Sequence, residues 1–200
     1  MQGYILKVTK VKDEDCIVDI LTHESMVKAY RFYGARHANI TQGYKIDFEL
    51  ISSLNFLPRL SGVLHLGFSW LTNRERLLFW QQFIRLFYAH LKDAEIIDEF
   101  YFNLLETASL KFEKQNPKRI IIESYLQILE FEGRLHDESV CFICEENITD
   151  FIALGRAFLP AHSSCTGQNG FAIDEIKELF ATKKTLNLND ETISYLYSIV

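Results

Sequence analysis

The chain has 200 residues but only three prolines, two methionines and four cysteines, and each scarcity removes a class of protein. So few prolines among 48% hydrophobic residues leave no proline-rich linker or low-complexity tract, and the chain reads as folded throughout. No uncharged apolar run reaches the roughly 18 residues that a membrane-spanning helix needs. The opening residues Met-Gln-Gly-Tyr-Ile-Leu-Lys lack a basic stretch, an apolar run and a small-residue cleavage site, so no export signal is expected. A cytoplasmic location follows, and in a reducing compartment the cysteines are expected to be ligands or core thiols rather than disulfides. The Asn-Ile-Thr triplets at Asn39 and Asn147 then carry no sugar.

Catalytic signatures are missing as well. There is no glycine-rich phosphate loop, no G-x-S-x-G elbow and no H-E-x-x-H pair. The paired carboxylates Asp13 to Asp15, Asp93 with Glu95, and Asp98 with Glu99 fall at turns or on polar helix faces, where solvation and capping account for them. His23, His65, His90 and His136 show no recurring spacing. A binding protein is expected rather than an enzyme.

Charge of one sign is absent from one window. The chain carries a net charge of −6, yet no acid occurs between Glu24 and Asp47. That stretch holds Lys28, Arg31, Arg36 and Lys45, interleaved with Tyr30, Phe32, Tyr33, His37 and Tyr44. Cations neutralise phosphates and aromatic rings stack on unpaired bases, so this mixture suits single-stranded nucleic acid. The alternative is a solvated basic face with Tyr30 and Phe32 alternating into a core. Gly34 before Ala35 and Arg36 suggests a turn that brings backbone close to a neighbour.

Up to about residue 71 the apolar period is two. Tyr44, Ile46, Phe48 and Leu50 alternate with polar residues, as do Leu64, Leu66, Phe68 and Trp70. Further strands are expected at 3–10, 16–22 and 26–33. Five short strands separated by turns fit a small closed barrel such as an OB-fold, with an SH3-like barrel as the alternative. Beyond residue 71 the period becomes helical. Thr72-Asn-Arg-Glu75 has the form of a capping box before a stripe from Leu77 to Leu91, a second stripe runs from Ala94 to about Lys111, and Asn116-Pro117 opens a third helix that stops at Gly133. These three are expected to pack as a bundle, with two short helices at 173–181 and 189–199. The class is therefore α+β: a five-stranded OB-fold barrel over residues 1–71, then an α-helical domain over 72–200 with an embedded zinc-finger-like segment at 141–165.

That segment contains the most specific chemical signal. Cys141-Phe-Ile-Cys144 is followed by His162-Ser-Ser-Cys165, and each short turn aims two soft ligands at one tetrahedral ion. The expected cofactor is one structural Zn²⁺ per chain, held by Cys141, Cys144, His162 and Cys165. A redox dithiol or a chance pairing of core cysteines is the alternative. Cys16, on the second strand, is expected to be buried.

The run Asp13-Glu14-Asp15-Cys16-Ile-Val-Asp-Ile-Leu21-Thr22, followed by Gly34-Ala35-Arg36, resembles the opening of the RecO family of bacterial DNA repair proteins. Phe131-Glu132-Gly133 leading into Cys141-x-x-Cys144 is similar to that family's helix end and zinc segment. The resemblance implies an OB domain, a helical domain and a zinc module. It also implies a non-enzymatic recombination mediator of the RecFOR pathway, cytoplasmic and nucleoid-associated, that binds single- and double-stranded DNA and anneals complementary strands. With RecR it would help load RecA onto DNA covered by single-strand-binding protein (SSB), whose C-terminal tail would dock on the helical domain near Arg74, Arg76, Arg85, Lys118 or Arg119. Lys28, Arg31, Arg36 and Lys45 would contact phosphate and Tyr33 would stack a base. Only Arg36 rests on a family motif; the others rest on the charge pattern. The chain departs from the family in offering His162 where a fourth cysteine is usual, and Ser25 where a glycine is common. A zinc-containing OB adaptor for a protein partner and a small thiol-dependent enzyme are the other readings.

Overall fold

The computed structural model describes the chain except for Ser53, Asn55 and Glu95; the carboxylate pair read at Asp93 and Glu95 therefore lies partly outside the described residues. Five strands, β1 (Gln2–Lys10), β2 (Cys16–Thr22), β3 (Met26–Arg31), β4 (Lys45–Ile51) and β5 (Arg59–His65), close into a barrel in the order β1-β2-β3-β5-β4. β4 returns to pair with β1, while β3 meets β5 in parallel at Tyr30 and Arg59. This is the Greek-key closure expected of an OB barrel.

Alternation fills the barrel. Ile5, Cys16, Val18, Ile20, Ala29, Ile46, Phe48 and Leu60 form its core, whereas Lys45, Asp47 and Glu49 face outward from β4. β1 is buried without a break from Gly3 to Leu6, because its second face is covered too. Helices α1 (Arg74–Leu91) and α2 (Glu99–Lys111) lie on the barrel, and Tyr4, Phe68, Trp70, Trp80 and Phe112 form an aromatic cluster there. Both indole N–H groups find buried acceptors: Trp80 donates to the Gly43 carbonyl at 2.8 Å and Trp70 to that of Ser109 at 2.8 Å. Gly43 has φ +89, and a Cβ there would fall 2.9 Å from the Trp80 ring. Only glycine meets both conditions at no cost.

The last strand differs from expectation. Alternation from Leu64 to Trp70 suggests a strand, but β5 spans Arg59–His65. Gly67 adopts φ +71, and Phe68 and Trp70 turn into the aromatic cluster, so their period-two spacing reflects a turn rather than a ladder. The first cap also moves: the Asn73 side chain, not Thr72, accepts from the Arg76 N–H.

Compact units comprise Met1–Glu113 and Lys114–Val200. The three helices expected in one bundle fall on both sides of this division. The second unit is built on α3 (Pro117–Phe131), capped by Asn116 as its Asn-Pro start implies. A three-stranded sheet of β6 (Phe151–Leu154), β7 (Pro160–Ala161) and β8 (Phe171–Ala172) follows, with short α4 (Ser163–Thr166) before β8. Then come α5 (Ile173–Thr182) and α6 (Asp190–Ser198). Glu123, buried on α3, accepts from both the N–H and the hydroxyl of Thr185 at 3.0 Å, fixing the loop between α5 and α6. No described helix is long and apolar enough to cross a membrane.

Candidate functional site

The segments that bear the basic and aromatic residues meet at one end of the barrel. Register pairs Lys10 with Cys16 and Cys16 with Arg31, which brings the turn after β1 beside the end of β3. The Asp15 carboxylate, in the first turn, accepts from the Tyr30 hydroxyl at 2.6 Å and from the Tyr33 N–H at 2.6 Å. Those two donors hold it below the usual aspartate range, the tyrosine contributing most. Tyr33 is left-handed (φ 53) and starts a tight turn over Gly34–Arg36. The close approach expected of Gly34 is to Cys16, whose Cβ would lie 3.0 Å from a Cβ at residue 34. Cys16 itself is fully buried, as expected, and burial raises its thiol pKa.

Arg36 thus stands on a built turn, its guanidinium over the Tyr33 ring at 5.6 Å and its Nε paired with Glu14. Both partners are largely solvated. Lys28 projects from β3 with 58% of its side chain exposed and Asp19 at 3.6 Å. Arg31 is half-buried and donates to the Leu60 carbonyl at 2.9 Å, strapping β3 to β5. Lys45 lies elsewhere. It pairs with Tyr4 on β1, six residues or about 20 Å along that strand from Lys10. Its ammonium is 2.7 Å from Glu106, only 16% of its side chain is exposed, and Glu106 also accepts from the Tyr4 hydroxyl at 2.7 Å. The structure therefore brings Arg31, Tyr33 and Arg36 together, puts Lys28 on the flank, and places Lys45 at the opposite end in a barrel-to-helix network.

Sequence reading missed Arg59, whose guanidinium sits 5.6 Å from the Phe32 ring centre, and Phe56, which is 83% exposed. Phe32, read as a possible core residue, is half exposed. The hint lay in Phe56 and Arg59 on either side of Pro58, 11 residues beyond Asp47.

Among the cations considered for an acidic tail, Arg76 donates to the Phe112 carbonyl. Arg119 donates to the Thr185 and Leu188 carbonyls and pairs with Asp190. Both brace their own units, while Arg74 and Arg85 are exposed.

The second unit gathers Cys141, Cys144, His162 and Cys165, their ligand atoms all within 4.8 Å of one another. Tetrahedral zinc sets its ligands roughly 3.7 Å apart, so this group can hold a metal ion with slight contraction. The donor chemistry fits. His162 Nε2 faces the Asn147 carbonyl at 3.2 Å, which makes Nε2 the protonated nitrogen and turns Nδ1 to the thiols, 3.3 Å from Cys144 Sγ. Such outer bonds orient metal-binding histidines. Burial pushes the Cys141 thiol up, but the N–H groups of Cys144, His162 and Ile143 outweigh it and bring the pKa down to about 6. Burial and the neighbouring thiols raise that of Cys165. The knuckle around Cys141 is closed by Glu145 N–H to the Cys141 carbonyl at 2.8 Å, with Glu145 left-handed, and the second ends at left-handed Gly167.

Comparison with known proteins bears on the first of these sites. No curated protein matches the chain. Residues 1–71 match the family model described as RecO N terminal, a span that holds the entire barrel, the Asp15 turn and the Gly34–Arg36 turn. Over those residues the chain is similar to the N-terminal domain of RecO, a family of DNA repair and recombination proteins.

Proposed function

We propose that the protein is a recombination mediator: it binds single- and double-stranded DNA at the barrel, anneals complementary strands and, with RecR, helps load RecA onto SSB-coated single strands. The observation that carries this reading is the Tyr33–Arg36 turn, a RecO-like motif standing exposed at one end of a closed OB barrel with its backbone fixed by Asp15. Lys28 and Arg36 present solvated cations for phosphate and Tyr33 an exposed ring for a base. Arg31, whose head is engaged by the barrel, shapes that surface more than it touches DNA, and Lys45, tied to Glu106 at the opposite end, lies away from it. The SSB tail would dock on exposed cations beside apolar helix surface, Arg74 and Arg85 being available. Such a protein works in the cytoplasm on the nucleoid and breaks no covalent bond.

The Cys₃His group supports a structural Zn²⁺, held by Cys141, Cys144, Cys165 and Nδ1 of His162. All four positions are filled by the protein, which leaves none for a substrate. That argues against the thiol-enzyme reading, while a protein-directed OB adaptor would show no salt-sensitive DNA binding.

The test is annealing of complementary strands coated with SSB. Annealing that requires the protein and falls steeply with salt is the expected result. Absence of both annealing and salt-sensitive DNA binding, with or without RecR, refutes the reading.

A further inference from the structure

An apolar groove of about 680 Å³ opens beside the β4–β5 connection, lined by Tyr30, Phe32, Ile51, Phe56, Leu57 and Arg59 with one serine. We propose that it is a base-stacking subsite for single-stranded DNA, in which Phe32 and Phe56 take bases and Arg59 the adjoining phosphate. This inference rests on the DNA-binding reading above and extends it to Phe56 and Arg59, outside the basic window.

The groove carries the chemistry of an unpaired nucleotide. Phe32 is 50% and Phe56 83% exposed, and two such rings in one groove mark a contact surface rather than scattered apolar residues. In a chain of net charge −6, no described residue of the lining is acidic, and its one charge is a guanidinium. Arg59 lies over Phe32 at 5.6 Å, a position from which it can both stack on a ring and reach a phosphate.

The main ring is positioned in advance. Tyr30 meets Phe32 edge-on, with centroids 5.0 Å apart at 71°, and the Tyr30 hydroxyl is held by Asp15 at 2.6 Å. Phe32 is thereby oriented before any ligand arrives, which lowers the ordering cost of binding. The same Asp15 fixes the Tyr33 N–H, so one carboxylate sets both the stacking ring and the phosphate-facing turn. Stacking is tolerant of base identity, so the subsite adds affinity without reading sequence. It also favours single strands, whose bases are free.

The experiment measures anisotropy of a labelled oligothymidylate against an abasic strand of equal length, at several salt concentrations. Wild-type protein is expected to bind the base-bearing strand about fivefold to a hundredfold more tightly. Phe32→Ala and Phe56→Ala should each cut that preference, and the double variant should bring binding down to the abasic level, with the salt slope and abasic affinity unchanged, while Phe32→Trp should keep the preference. Circular dichroism checks that each variant is folded. Equal wild-type affinity for both strands, or alanine variants that retain the preference, overturns the subsite while DNA binding stands. Binding of neither strand overturns the DNA reading along with it. An acidic, phenylalanine-ended peptide that binds the wild type, loses affinity in Phe32→Ala and leaves the base preference intact assigns the groove to protein and also overturns the proposal.

Discussion

Replacing Lys45 separates a DNA contact from a structural charge. The ammonium is 2.7 Å from Glu106 and lies 5.9 and 5.8 Å from the ring centres of Tyr4 and Phe102. With an effective dielectric near 20, the bare attraction across that distance is about 6 kcal/mol, most of it offset by stripping water from two partly buried groups. A net coupling of roughly 1–2 kcal/mol remains, and Lys45→Met also leaves Glu106 facing Tyr4 without its cation. The expected loss of stability is therefore about 1.5–3 kcal/mol, read as a lower urea midpoint. A double-mutant cycle with Glu106→Leu should return the coupling term. Affinity for single-stranded DNA should change less than about twofold with an unaltered salt slope, since a lost phosphate contact on a single strand lowers that slope by about 0.7. A slope reduced by that amount with stability intact would refute the structural assignment and return Lys45 to the DNA face.

Metal analysis should find about one zinc per chain, lost in Cys144→Ser or Cys165→Ser, and chelation should unfold the segment around 141–165 without melting the barrel; metal-free protein with a freely reactive Cys141 would contradict this. Arg36→Glu is expected to weaken DNA binding at least tenfold at low salt while circular dichroism stays unchanged. Glu14→Gln, by freeing Arg36 from a surface pair worth only about 0–1 kcal/mol, should tighten binding modestly; retained affinity in the first variant or weakened affinity in the second would reduce the turn to a solvated face. His65 is stacked on Tyr44 with its ring Nε2 buried and unpartnered, and burial lowers its pKa. The unfolded chain therefore binds the proton more readily, and stability should fall as pH drops through the ordinary histidine range, a component that His65→Phe should abolish. Trp80→Phe should cost about 2–4 kcal/mol in denaturant unfolding, from an unsatisfied Gly43 carbonyl and an unfilled space where the indole was; a loss under about 0.5 kcal/mol would show that water or repacking satisfies the site.

Where one rule governed a segment, the sequence was readable. Alternation at Ile46 and Phe48 marks β4 because one of its faces is solvated, and Asn116-Pro117 and Gly133 bracket α3 because caps act locally. β5 was misplaced because Leu64, Phe68 and Trp70 obey two different demands, the first in a ladder and the others in an aromatic cluster under α1 and α2. The small sheet of β6, β7 and β8 left no trace, since strands of two to four residues are too short to show a period. The Cys₃His group was legible because ligands for a tetrahedral ion come in short, closely spaced pairs.

The proposed nucleic-acid face was only half legible, for a reason that bears on how it would work. Arg36 stood out through its motif, but Asp13-Glu14-Asp15 read as a solvated turn. Only the pairing of Cys16 with Arg31 brings the two turns together, and from that the roles diverge. Asp15 accepts from Tyr30 and Tyr33 and pairs with no described cation, whereas Glu14 holds Arg36 in a solvated surface pair. An acid that rigidifies the turn next to an acid that only parks its arginine suits a surface meant to exchange partners. Phosphate can displace Glu14 at little cost while the backbone beneath stays fixed. In the proposed reading, grip on DNA is then steep in salt and easily released, as handing a strand to another protein requires.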